Sequence, residues 1–141
     1  MSELANKSFV DIEVGEEIPR MSFIVTQDHI NKYANVSKDF NPLHIDEEFA
    51  KKTPFKGTIA HGLMTLAFIS QVMTKWQWNG WVYGGSMDVT FISPLRPNET
   101  VTIGGKVIEK DEKTSQITVE LDVKNTNGNN VVVGKTQFRF D

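Results

Sequence analysis

Apolar residues recur along this chain with two different periods, and the change between them falls just before Met87. Beyond that point the period is two. Met87, Val89 and Phe91 alternate with Asp88 and Thr90, Val101, Ile103 and Val107 point one way, and Ile117, Val119, Leu121 and Val123 alternate strictly with Thr118, Glu120, Asp122 and Lys124. Each run predicts a strand with one buried and one solvated face. Asn127-Gly128 signals a hairpin turn, after which Val132, Gly134, Thr136, Phe138 and Phe140 share one face. Before Met87 the spacing is helical or irregular. Phe9, Val10, Ile12 and Val14 suggest a short strand or packed arm, and Arg20 to Val25 a strand. Thr26 is placed to cap a helix over residues 28–34, and Asp46 a second one through Lys51 that Pro54 closes. From Gly62 to about Trp76, apolar residues cover nearly every face, which predicts a helix buried all round. An antiparallel sheet curled around one long buried central helix satisfies all these patterns, an α+β domain spanning residues 1–141.

Composition narrows the function. The chain of 141 residues contains no cysteine, so thiolate nucleophiles, cysteine-ligated zinc and disulfide scaffolds are excluded. No run approaches the length of a membrane span or a signal peptide, and the chain is expected to be cytoplasmic with no membrane partner. Fifteen basic and eighteen acidic residues, neither forming a block, show no nucleic-acid footprint.

The candidate chemistry lies in Asp39-Phe40-Asn41-Pro42-Leu43-His44. Pro42 fixes its own φ and pushes Asn41 toward extended geometry, so this segment is expected to be a shaped loop presenting a carboxylate and an imidazole. Alone, Asp39 reads as a turn residue and His44 as a structural histidine. The segment Ile59-Ala60-His61-Gly62-Leu63-Met64 then begins the buried helix, and Phe91-Ile92-Ser93-Pro94-Leu95-Arg96-Pro97 follows as a strand and turn.

These motifs, in this order, resemble the MaoC-like, (R)-specific enoyl-CoA hydratases (hydratase 2 type) of the hot-dog fold. Ser37 to His44 resembles their signature, Ile45 to Ala50 its continuation, and the likeness covers roughly residues 18 to 140. Two departures stand out: Lys38 where many relatives carry glycine, and Asn98-Glu99 where many carry Gly-Asp. The resemblance implies a hydro-lyase acting on trans-2-enoyl thioesters, with CoA as the carrier of the acyl substrate, no metal and no bound redox cofactor, in a homodimer or higher homo-oligomer. It implies that Asp39 and His44 hold and activate water. Gly62, at the start of the helix, would offer its amide to the thioester oxygen. Asn41 is expected to support the loop, His61 to touch substrate or hold the preceding loop, and Ser70 to lie at the pocket or just behind it. Ser70 sits about 12 Å beyond Gly62 along a helix, too far to grip the same substrate atom. Phe68, Met64, Met73, Trp76, Trp78 and Trp81 are candidates either for an acyl tunnel or for plain core, and Lys38, Lys56, Lys75 and Arg96 for the CoA phosphates or plain surface. The rival readings are dehydration of 3-hydroxyacyl chains on acyl carrier protein, thioester hydrolysis, and a non-catalytic acyl-CoA-binding domain. A metal site is disfavoured because Asp39 and His44 alone fall short of the usual three or four ligands.

Overall fold

The computed structural model describes residues 6–140. A single turn of 3-10 helix at Phe9–Asp11 leads to β1 (Met21–Ile24), then α1 (Gln27–Ser37), two one-turn helices α2 (Pro42–Ile45) and α3 (Glu47–Ala50), and the long α4 (Gly62–Gly84). Four strands follow: β2 (Ser86–Phe91), β3 (Thr100–Asp111), β4 (Gln116–Lys124) and β5 (Asn130–Arg139). The sheet is antiparallel throughout, in the order β1-β3-β4-β5-β2, so β1 and β2 form its edges. Among the described residues, no helix is long and apolar enough to cross a membrane.

In β3 and β4 the alternating apolar residues are buried as their period predicts, whereas Phe91 of β2, expected on a buried face, is 52% exposed and Thr118 of β4, expected on the solvated face, is buried. Val101, Ile103, Val107, Ile117, Val119, Val123 and Phe138 are buried together with Ile69, Val72 and Met73 of α4 in one core. The β4–β5 hairpin turns through Asn125, whose Oδ1 accepts from the amides of Asn127 and Asn129, while Gly128 takes φ +80°. Thr26 caps α1 reciprocally: its hydroxyl accepts from the His29 amide, and its own amide donates to His29 Nδ1.

Two expectations about the helices need correction. First, α4 continues beyond Trp76 and is not buried all round. Gln77 has non-helical angles (φ −148°, ψ 65°), its backbone forms a β-bridge with Asn6, and the chain resumes a helix to Gly84. The bend is sharp, because Trp81 Nε1 donates to Ser70 Oγ at 2.8 Å. Those residues would stand about 16 Å apart along a straight helix, beyond the reach of an indole. On the outer side Leu63 and Val82 are each 62% exposed. Second, the segment after Asn41 is a helical turn rather than a loop. Proline is favoured at the first helical position, where its missing N–H costs nothing, and Asn41 Oδ1 caps the turn by accepting from the Leu43 amide at 3.0 Å. Pro42 therefore ends the irregular stretch and starts α2, with His44 inside it.

Both departures from the relatives' pattern fall where the backbone is left-handed. Lys38 ends α1 at φ 65°, ψ 17°, and Asn98 turns the β2–β3 connection at φ 69°. Glycine adopts such angles without steric cost, asparagine nearly so, and lysine with strain. The turn at Asn98-Glu99 is kept intact by the Asn98 amide on the Val25 carbonyl, the Val25 amide on the Glu99 carbonyl, and Glu99 Oε2 on the Arg96 amide at 2.7 Å.

Candidate active site

The short helices α2 and α3 and the stretch from Thr53 to Ala60 carry the site to the mouth of α4. Asp39 leaves α1 on an exposed bend, where its Oδ1 accepts from the Asn41 amide at 3.2 Å and its own amide donates to Ser37 Oγ. The hydrogen bonds of Asn41 go to the loop it was expected to support. His44 stands one turn further on. Its Nδ1 lies 2.8 Å from the carbonyl oxygen of Ile59. A carbonyl only accepts, so Nδ1 carries the proton of the neutral ring and Nε2 is left bare. Gln27 ties these pieces together: its Nε2 donates to the His44 carbonyl at 2.8 Å, and its Oε1 accepts from Thr58 Oγ1 at 2.6 Å. Glu47 adds a bond from the Thr58 amide. Neither Gln27 nor Glu47 was visible as a site residue in the sequence, because each acts across a fold contact and no local spacing marks it.

His61, expected to touch substrate or hold the preceding loop, bonds instead to the Asp39 segment. It is 2% exposed, with Nε2 3.0 Å from the Asp39 carbonyl oxygen and its ring stacked on that of His44 (3.9 Å between centroids, 28° between planes). Tyr33 lies against it at 4.8 Å. By the same argument as for His44, Nε2 carries the proton; Nδ1 is enclosed and has no hydrogen-bond partner. Burial pushes the His61 pKa below the ordinary histidine value, outweighing the upward pull of the hydrogen bond to the Asp39 carbonyl, with a lesser downward push from the neighbouring His44 and a lesser upward one from the Asp39 charge. The two imidazoles thus lie face to face, one donating from Nδ1 to Ile59 and the other from Nε2 to Asp39.

Gly62 opens α4 beside this stack, where first-turn amides lack intrahelical partners. A Cβ there would sit 2.7 Å from the Phe91 ring, so only glycine lets Phe91 lie over the helix start. A largely apolar cavity of about 380 Å³ opens at this point, lined by His44, Gly62, Phe55, Ile59, Leu63, Thr65 and the wall from Phe91 to Leu95. Asp39 is not among its lining residues; its carboxylate lies beside His44. The proposed tunnel residues are elsewhere: Met64, Met73 and Trp76 are core, and the cavity's apolar walls come from Ile59, Leu63, Phe91 and Leu95. Ser70, expected at or just behind the pocket, lies outside the cavity and holds the bend of α4 through Trp81.

Asp39, His44 and His61 bring three potential metal ligands within 4.8 Å of one another, one residue more than the pair that argued against a metal. A shared cation needs lone pairs that converge at about 2.1 Å. Here the imidazoles are stacked, His61 Nε2 is committed to Asp39 and its Nδ1 is enclosed. The arrangement suits one water between the Asp39 carboxylate and His44 Nε2 better than a metal ion.

Residues 11–129 match the family model described as "MaoC like domain". The chain belongs to the MaoC-like family. Its relatives include an (R)-specific enoyl-CoA hydratase of Rhodospirillum rubrum, 34% identical over 115 residues and covering 78% of each chain. A 3-hydroxybutyryl-CoA dehydratase of Methylorubrum extorquens is 36% identical over 111 residues, covering 77% of this chain and 69% of that one. Among solved structures, the (R)-hydratase from A. caviae involved in PHA biosynthesis superposes with a TM-score of 0.80 at 26% identity, over 93% of this chain and 98% of that one. The MaoC-like domain thus has the hot-dog fold, its antiparallel sheet and long helix matching those of the solved hydratases.

Proposed function

We propose that this MaoC-like domain is a hydro-lyase that reversibly hydrates trans-2-enoyl-CoA to (R)-3-hydroxyacyl-CoA. The observation that carries the reading is the meeting, at one apolar cavity, of His44 with its bare Nε2, the neighbouring Asp39 carboxylate and the Gly62 start of α4. Asp39 takes a proton from the water, whose oxygen bonds to C3 of the enoyl chain. The C2–C3 π electrons move toward the thioester, where the Gly62 amide and the positive end of α4 stabilise the enolate oxygen. His44 Nε2 accepts a hydrogen bond from the same water and holds it in place, and the proton that Asp39 has taken passes to C2, completing the addition of H and OH. CoA enters as the carrier of the acyl group; the chemistry calls on no metal or redox cofactor. The apolar lining suits an acyl chain.

A second copy of the chain completes this reading. Leu63 (62% exposed) and Phe91 (52% exposed) line the cavity while facing solvent, and β2 leaves a free sheet edge beside them, features that pairing in a homodimer would cover. The cysteine-free composition is compatible with the cytoplasm, where we place it. Dehydration of 3-hydroxyacyl chains on acyl carrier protein is the second reading, since the same groups run the reaction backwards and a relative in Arabidopsis thaliana bears that name at 27% identity over 132 residues.

The test is loss of the conjugated thioester when the purified protein meets crotonyl-CoA. Asp39→Asn and His44→Gln should each lower kcat by about 10²- to 10⁴-fold. A folded wild-type protein inert toward short, medium and branched enoyl-CoA substrates would overturn the hydratase reading, and full activity in both variants would overturn the site.

A further inference from the structure

The proposed chemistry does not use His61, yet His61 touches both of the residues it does use. Its Nε2–H is donated to the Asp39 carbonyl at 3.0 Å and its ring covers that of His44 at 3.9 Å. It cannot act as a base or ligand itself: one nitrogen is committed to a carbonyl, and the other is enclosed where no water reaches it. We infer that His61 is a positioning residue, which locks the Asp39 backbone and the plane of the His44 ring to one another so that the carboxylate and His44 Nε2 stay aimed at a single water. The inference rests on the hydratase reading above.

Three features of the site carry it. Asp39 is exposed on a bend whose remaining bonds are short-range ones to Ser37 and Asn41, so His61 provides its tie to the body of the fold. His44 is held at one edge by Ile59, which leaves rotation about that bond to be stopped by a flat neighbour; the His61 face is that neighbour. The position also demands a planar ring bearing a donor on its far edge. Phenylalanine supplies the ring alone, glutamine the donor alone, and the imidazole both. The enclosed Nδ1 holds the ring in one state, because a proton there would place a charged N–H in a buried site without an acceptor. His61 is also the residue immediately before Gly62, so the contact that sets Asp39 and His44 is continuous with the start of α4.

The experiment compares His61→Phe and His61→Gln with wild type, reading kcat and KM on crotonyl-CoA beside circular dichroism and Tm. His61→Phe, folded and with its ring kept, should lose on the order of 10²-fold in kcat, the penalty of displacing a reacting group by about an ångström, with KM nearly unchanged. His61→Gln should recover about tenfold of that loss by restoring the donor to Asp39. Wild-type kcat in His61→Phe, or a Gln variant no better than Phe, would overturn the inference. An independent readout comes from the ¹⁵N shifts of the His61 ring, which should show protonated Nε2 and bare Nδ1 across the active pH range; averaged shifts would overturn it whether or not the protein turns over substrate. Inert wild-type protein with fixed His61 shifts would remove the hydratase reading and keep the locked geometry.

Discussion

The two ends of α4 use the same device for opposite purposes. At each, a glycine lets a phenylalanine ring lie directly on the helix: Gly62 against Phe91, and Gly80 against Phe138, where an added Cβ would stand 2.7 Å and 2.5 Å from the rings. Phe138 is 1% exposed and belongs to the core, whereas Phe91 is half exposed and forms a cavity wall. The close approach at Gly80 seals the interior, and the one at Gly62 leaves the first amides of the helix bordering an open space. Close packing alone therefore does not mark a site; what marks it is close packing against something that can still move.

Paired substitutions test that contrast most strongly. Gly80→Ala forces an enclosed ring to shift and should cost about 2–3 kcal/mol, lowering Tm by roughly 6–12 °C for a chain of this size, with the kcat of the folded protein little changed. Gly62→Ala meets a ring that can swing into solvent, so stability should change by less than about 1 kcal/mol while kcat falls about tenfold, because the new methyl crowds the amide that faces the thioester. Thermal melts and steady-state kinetics on both variants decide it; equal Tm losses would erase the distinction.

A second prediction concerns pH. The folded-state pKa of His61 lies below its unfolded value of 6.5, chiefly through burial. As pH falls through 6.5 the unfolded chain takes up a proton that the folded chain refuses, so this contribution to stability is complete above 6.5 and is lost as pH falls toward the depressed folded value. Denaturant melts between pH 7.5 and 5 should show wild-type stability falling, and His61→Gln should flatten the fall. Asp28 and Asp122, depressed by Lys32 and Lys124 respectively, act only below their ordinary carboxylate values and leave that window untouched. The smallest effect is expected at Lys38→Gly, which relieves a left-handed lysine at the end of α1 and should gain about 0.5–1 kcal/mol in the same melts.

Much of this was legible in the residues. Strict alternation in β4 gave its buried face, Thr26 and Asp46 announced caps that both form, and the two departures from the relatives' pattern mark two left-handed residues. What stayed hidden depends on contacts between distant segments. Nothing in the spacing of His44 and His61 says that their rings stack, and Gln27 becomes a strut of the site only once Thr58 and the His44 carbonyl arrive beside it. The apolar run ended near Trp76, where the break falls; what no local period showed is the second arm to Gly84 beyond a Gln77 bridged to distant Asn6.

The bond from Trp81 to Ser70 across that break also makes the molecule its own optical gauge. The indole is held at 2.8 Å only while the two arms of α4 keep their angle, so any opening of the bend would change its surroundings and shift its emission. One of the three tryptophans thereby reports whether the far arm moves when the near arm receives a ligand, with no dye attached.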